Sequence, residues 1–139
     1  MITEKSTREE VLEAVRDCGY ELKYASHSLR DDDEIVTEAV KNDCMALEYA
    51  SYRLRDNDDM VAYAIKENGV ALEYASPVLR DNKYIVTEAV KNNGWALKFA
   101  SERLRDDGEV VIEAIKNYGV AFIFASKRLR DLQKIGGIK

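Results

Sequence analysis

Asp31, Asp56, Asp81, Asp106 and Asp131 each follow a Leu-Arg pair, and each lies 25 residues from the next. Self-similarity at a fixed period of this size marks a solenoid, in which no unit buries its apolar face alone and each stacks on its neighbour. In this register the units are 6–30, 31–55, 56–80, 81–105 and 106–130, with no linker between them and a sixth start in the tail 131–139. The reading is one domain over 1–139, an all-α solenoid of five 25-residue helix-turn-helix repeats plus a truncated sixth start.

Each unit opens with a helix-start signal. Ser6 and Glu9, Asp31 and Glu34, Asp56 and Asp59, and Asp106 and Glu109 resemble capping boxes, although Tyr84 holds the acid's place in the fourth unit. Apolar residues follow on one helical stripe, as in Ile35, Val36, Ala39 and Val40. A cation (Arg16, Lys41, Lys66, Lys91, Lys116) faces the negative end of the helix dipole, and Gly19, Gly69, Gly94 or Gly119 comes after it. The glycines predict a left-handed, Schellman-type cap, with a modest strain where Cys44 replaces one. A second, shorter helix then reads Met-Ala-Leu-Glu-Tyr-Ala-Ser at 45–51, with close variants at 70–76 and 95–101. Ala, Leu and the aromatic share its inner face.

Composition narrows the function. With 26 acidic against 21 basic side chains, a net charge of -5 and a pI near 5.0, the chain lacks the positive footprint that nucleic acid or an anionic membrane requires. The start has no signal-like apolar core, so the expected compartment is cytoplasmic. Cys18 and Cys44 occupy different positions within their units, which predicts free, buried or half-buried thiols rather than a disulfide.

The block A-L-x-Y-A-S-x-x-L-R-D-D, followed by an acid, a branched pair and E-A-V-K-x-N-G, resembles the repeats catalogued as domain of unknown function 4116. The likeness spans about Ser6 to Arg130 and implies an all-helical array with no catalytic residues to carry over. Glu10 and Glu21 in the first unit depart from it and suit the wet face of a terminal cap.

Few residues suggest chemistry. His27 has no fixed neighbour at its repeat position to act as base or ligand, and the clusters at 31–34 and 56–59 lack the glycine and bidentate Glu of a calcium loop. No catalytic residue, metal site or cofactor is expected. Arg30, Arg55, Arg80, Arg105 and Arg130 stack into a column beside the Asp column. The adjacent acids predict an Arg-Asp ladder; the alternative is a basic groove for carboxylate or phosphate. Tyr63 and Tyr84 replace acids on the outer helical face, and with Glu88 and Lys66 they form the candidate binding set. Trp95 is expected to pack under the cap. The sequence reading is a non-catalytic module that binds a protein or peptide, with a structural spacer as the alternative. The C-terminal unit, with Ile112, Phe122 and Ile123, is expected either to be covered by the tail through Leu132 and Ile135 or to self-associate.

Overall fold

The computed structural model describes residues 1–134. In chain order the elements are α1 (Arg8–Asp17), two 3-10 segments (Gly19–Tyr24, Leu29–Asp31), α2 (Asp33–Asn42), a 3-10 segment (Cys44–Tyr49) and α3 (Tyr52–Arg55). There follow α4 (Asp58–Glu67), a 3-10 segment (Gly69–Tyr74), α5 (Pro77–Arg80), α6 (Lys83–Asn92), a 3-10 segment (Gly94–Phe99) and α7 (Glu102–Arg105). The chain closes with α8 (Gly108–Asn117), a 3-10 segment (Gly119–Phe124) and α9 (Lys127–Lys134). A unit is therefore a three-turn α-helix, a 3-10 segment and a single-turn helix, so the second helix of the sequence reading is 3-10 rather than α.

The long helices stack side by side in one layer and the 3-10 segments stack in a second, each touching its equivalents in the units before and after. Between the layers lies one continuous core. Val11 and Val15, then Ile35, Val36, Ala39 and Val40, and their equivalents up to Val110, Val111 and Ala114 come from the long helices. Leu22, Leu47, Leu72 and Leu97 come from the 3-10 layer and Leu54, Leu79, Leu104 and Leu129 from the short helices. Truncating one such leucine to Ala costs about 2–5 kcal/mol in a close-packed interior. Six-residue 3-10 runs exceed the usual length; here Ala and Leu bury one side of each, and the following Ser caps the next short helix through its hydroxyl in units two to five.

The helix starts lie one residue later than the sequence reading placed them. The caps are Thr7, Asp32, Asn57, Asn82 and Asp107, whose side chains accept from the N–H of Glu10, Ile35, Met60, Ile85 and Val110. Thr7 and Glu10 form a reciprocal capping box. Asp31, Asp81 and Asp106 instead reach across to the short helix that ends their own unit. Each accepts from the serine hydroxyl of that unit (Ser51, Ser101, Ser126) and from an arginine Nε (Arg53, Arg103, Arg128) at 2.9–3.0 Å. The register hid this because a cap residue and its predecessor are both acidic in two of the units.

The glycines are also used differently. The residue before each glycine ends the long helix in an extended conformation, with φ between -148° and -154°, and no described glycine has a left-handed φ. A Cβ on Gly69 stands 2.1 Å from the Ala89 carbonyl oxygen of the next unit, and one on Gly19 or Gly94 meets Ala39 or Ala114 at 2.3 or 2.4 Å. Glycine is needed there for backbone approach between units, not for torsion.

At the ends, Ile2 folds onto the core beside α1, Glu10 is exposed, and Leu132 packs against the last unit. Ile112, Val120 and Ile123 remain exposed, while Ile135 lies outside the described residues. Cys44 is a half-buried free thiol, raised above its ordinary range by burial, and Cys18 is free but exposed rather than buried.

Candidate functional site: grooves between the long helices

The solvent side of the long-helix layer carries grooves at the junctions of α2 with α4, α4 with α6 and α6 with α8, and how closely the helices of a junction approach varies with two residues. In the junctions of α1 with α2, α4 with α6 and α6 with α8, an asparagine of the later helix turns back on the earlier unit. Its side-chain oxygen accepts from the glycine N–H: Asn42 from Gly19 at 2.6 Å, Asn92 from Gly69 at 2.7 Å and Asn117 from Gly94 at 2.7 Å. Its amide nitrogen donates to the last carbonyls of the earlier long helix, Arg16, Lys66 and Lys91 respectively, at 2.9–3.0 Å. One side chain therefore satisfies an orphan carbonyl and an orphan N–H together. The remaining junction, α2 with α4, carries neither partner: Cys44 stands for the glycine and Glu67 for the asparagine. A carboxylate has no N–H to offer Lys41, and Cys44 carries a Cβ where the other junctions have none. The two helices accordingly touch far less than the other three pairs.

That loosened junction holds a cleft of about 260 Å³. Val40, Leu54 and Met60 give it apolar walls, Tyr63 and Thr37 border it, and Asp33 and Asp59 stand at one end with Lys41 also lining it. Asp33 is already bound by Arg53, Nη2 to Oδ1 at 2.5 Å. The next groove, between α4 and α6, has a volume of about 410 Å³ and is lined by Lys66, Tyr84 and Glu88 with Ala62, Ile65 and Ile85. Three of the four sequence-derived candidates thus meet in one groove, and Tyr63 lies in its neighbour across α4. Tyr84 is the more available anchor, 70% exposed against 38% for Tyr63. No ring contact joins the two among the described residues.

Charge along the groove mouths follows the caps. Where the first helical position is cationic, the next unit's cap is Asp and binds it: Arg8 Nε to Asp32 at 2.8 Å and Lys83 Nζ to Asp107 at 3.0 Å. The Arg8 hydrogen bonds hold the Asp32 carboxyl below its ordinary range; at Asp107, burial opposes and Lys83 with the Val110 N–H prevails. Where that position is Asp33 or Asp58, the next cap is the neutral Asn57 or Asn82, which avoids a repelling pair.

Other residues singled out in the sequence take structural places. His27 is exposed, with Nδ1 2.9 Å from Arg30 Nη2. Asp32, Asp33 and Glu34 bind Arg8 or Arg53, and among the described residues no group of three His, Cys, Asp or Glu side chains is arranged to hold a metal. Trp95 does not lie under a cap: it is 37% exposed and meets Phe124 of the next unit edge-on at 4.8 Å. No described helix is long and apolar enough to cross a membrane. The asparagine staples were absent from the sequence reading. Their signal was a repeated Asn at 42, 92 and 117, changing to Glu67 where the glycine partner changes to Cys44.

Stacked helical units with short connections and a ridged outer layer define a helical-repeat solenoid. Matches to the family described as Domain of unknown function (DUF4116) cover residues 7–52, 32–80 and 82–130, and the chain belongs to that family. The matches begin at or near the long-helix caps, Thr7, Asp32 and Asn82. No curated protein and no solved structure matches the chain.

Proposed function

We propose that the chain is a non-catalytic protein-interaction module that receives a partner segment along the grooves flanking α4. The observation that carries this reading is the break in the Asn-Gly staple between α2 and α4. The cleft at that junction has apolar walls beside Tyr63, next to a larger groove lined by Lys66, Tyr84 and Glu88 in which Tyr84 stands exposed. An aromatic anchor with an acidic rim suits a partner side chain that is apolar or basic, received by packing and by a cation-π contact of about 0.5–1 kcal/mol. A cytoplasmic setting, where thiols such as Cys18 and Cys44 stay reduced, fits the module.

The test is a displayed peptide library selected on the wild-type chain and on the double variant Tyr63→Glu/Tyr84→Glu. Glu is the residue that equivalent positions hold, so the fold should be retained. Peptides enriched on the wild type are expected to lose about tenfold in affinity on the variant, equal to roughly 1.4 kcal/mol. Equal affinity would place recognition elsewhere, and no enrichment at all would favour the spacer reading.

A further inference from the structure

The arginine that ends each unit is the one repeated charge that the fold does not neutralise. Arg30, Arg55, Arg80, Arg105 and Arg130 recur 25 residues apart, yet among the described residues none of them forms an ion pair. The expected Arg-Asp ladder is built from different arginines. Asp31, Asp81 and Asp106 are taken by Arg53, Arg103 and Arg128, two residues earlier in the motif, and by the capping serines. Those hydrogen bonds, serine first, hold the three carboxyls below their ordinary range, so they are committed partners.

The unit-ending side chains are fixed at the stem. Nε of Arg55 and Arg130 donates to the Ala50 and Ala125 carbonyls at 3.2 and 3.1 Å, while Nε of Arg30, Arg80 and Arg105 is buried without an acceptor. Arg55 lies over the Tyr52 ring at 5.9 Å, and Arg105 and Arg130 line one cleft of about 280 Å³. Anchored stems leave planar forks that have lost most of their rotamer freedom, the state in which Arg binds a carboxylate at least entropic cost. Charge is distributed to match. The segments 27–31, 52–56, 77–81, 102–106 and 127–131 hold nine basic side chains against six acidic, whereas the rest of the chain holds 12 against 20.

We propose that this column is a second docking surface, separate from the tyrosine grooves, for an extended acidic segment of another protein. Neighbouring helical units repeat at about 8–10 Å, and a segment in the polyproline II form advances about 3.1 Å per residue with about three residues per turn. Carboxylates at every third position of such a segment therefore share one face and fall in step with successive arginines. A nucleic-acid strand fits less well, because its phosphates are spaced more finely and the acidic remainder of the surface repels a polyanion.

The experiment is an anisotropy titration at low salt with a fluorescein-labelled peptide of about fifteen residues, Glu at every third position and Gly or Ser between. Comparison probes are a peptide of the same composition with its Glu residues clustered and a single-stranded oligothymidylate. The spaced peptide is expected to bind tightest, and Arg80→Gln/Arg105→Gln to weaken it about tenfold or more, while Lys98→Gln in the 3-10 layer leaves it unchanged. Binding that is undetectable, unaffected by the arginine pair, or surpassed by the oligonucleotide would overturn the proposal. A measurement that needs no variant guards against misfolding: on the wild type, the spaced peptide should slow modification of Arg80 and Arg105 by a dicarbonyl reagent but not that of Arg16, whose partners are Glu34 and Glu38. Unslowed modification would also overturn it.

Discussion

The junction of α4 with α6 and the junction of α2 with α4 share the α4 helix and differ at both positions of the Asn-Gly staple. At the first, Gly69 lets its unit meet the Ala89 carbonyl and Asn92 binds both chain turns. At the second, Cys44 and Glu67 remove the space and the donor together, and the two helices touch less. A repeat array adds its stability from unit and interface terms. One loosened interface therefore leaves the core whole, and it still runs through Val40, Leu54 and Val61.

The largest effect should come from forcing the tight junction open. Gly69→Ala sets a methyl 2.1 Å from a backbone oxygen that cannot rotate away, so a loss of about 3 kcal/mol or more is expected in chemical denaturation. Gly119→Ala is the matched control, since nothing lies within 4 Å of its Cβ position; its change should stay within about 0.5 kcal/mol. Similar losses at both sites would mean that glycine acts through torsion after all.

Next in size is the staple. Asn92→Ala strands the Gly69 N–H and the Lys66 carbonyl and should cost about 1–3 kcal/mol. Glu67→Ala, at the same register, removes no such pair and should cost less than about 0.5 kcal/mol. Conversely, Cys44→Gly with Glu67→Asn rebuilds the pair at the open junction and should add about 1 kcal/mol, with the double change exceeding the sum of the single ones. Strict additivity in that cycle would show that the two positions do not act together.

The smallest effect is electrostatic. Asp31, Asp81 and Asp106 are held below the ordinary carboxyl range by their serine and arginine partners, so the folded state binds fewer protons than the unfolded chain. Their contribution is present above the unfolded value of about 3.9 and disappears as pH falls through the lower folded values. Urea midpoints of wild type and the triple Asp→Asn variant should differ at neutral pH and converge below about pH 4. A gap that persists or grows in acid would contradict the pairing.

The period, the helical class and the inner stripe were legible because each rests on spacing alone: Val36, Ala39 and Val40 sit on one face in any straight helix. The caps were misplaced by one residue because Asp31 and Asp32 are both competent, and only Ser51 and Arg53 at the far end of the unit decide between them. Gly69 was recognised as indispensable for the wrong reason. A steric demand made by Ala89, twenty residues away, leaves the same mark in sequence as a left-handed torsion. Tyr84, Glu88 and Lys66 were found together because helical register brings them to one groove. The arginine ladder was assigned to the wrong arginines, since units two, four and five each carry two near the acid in sequence and only the folded contacts separate them.

Amide hydrogen exchange of the native protein, read as protection factors at residues 44, 69 and 94, bears most directly on the claim that the Asn-Gly pair ties three junctions and its loss loosens the fourth. The Gly69 and Gly94 amides, each donating 2.7 Å to an asparagine oxygen of the next unit, should be protected about tenfold or more above the Cys44 amide, where Glu67 stands in place of that asparagine. Equal protection at all three would contradict the account.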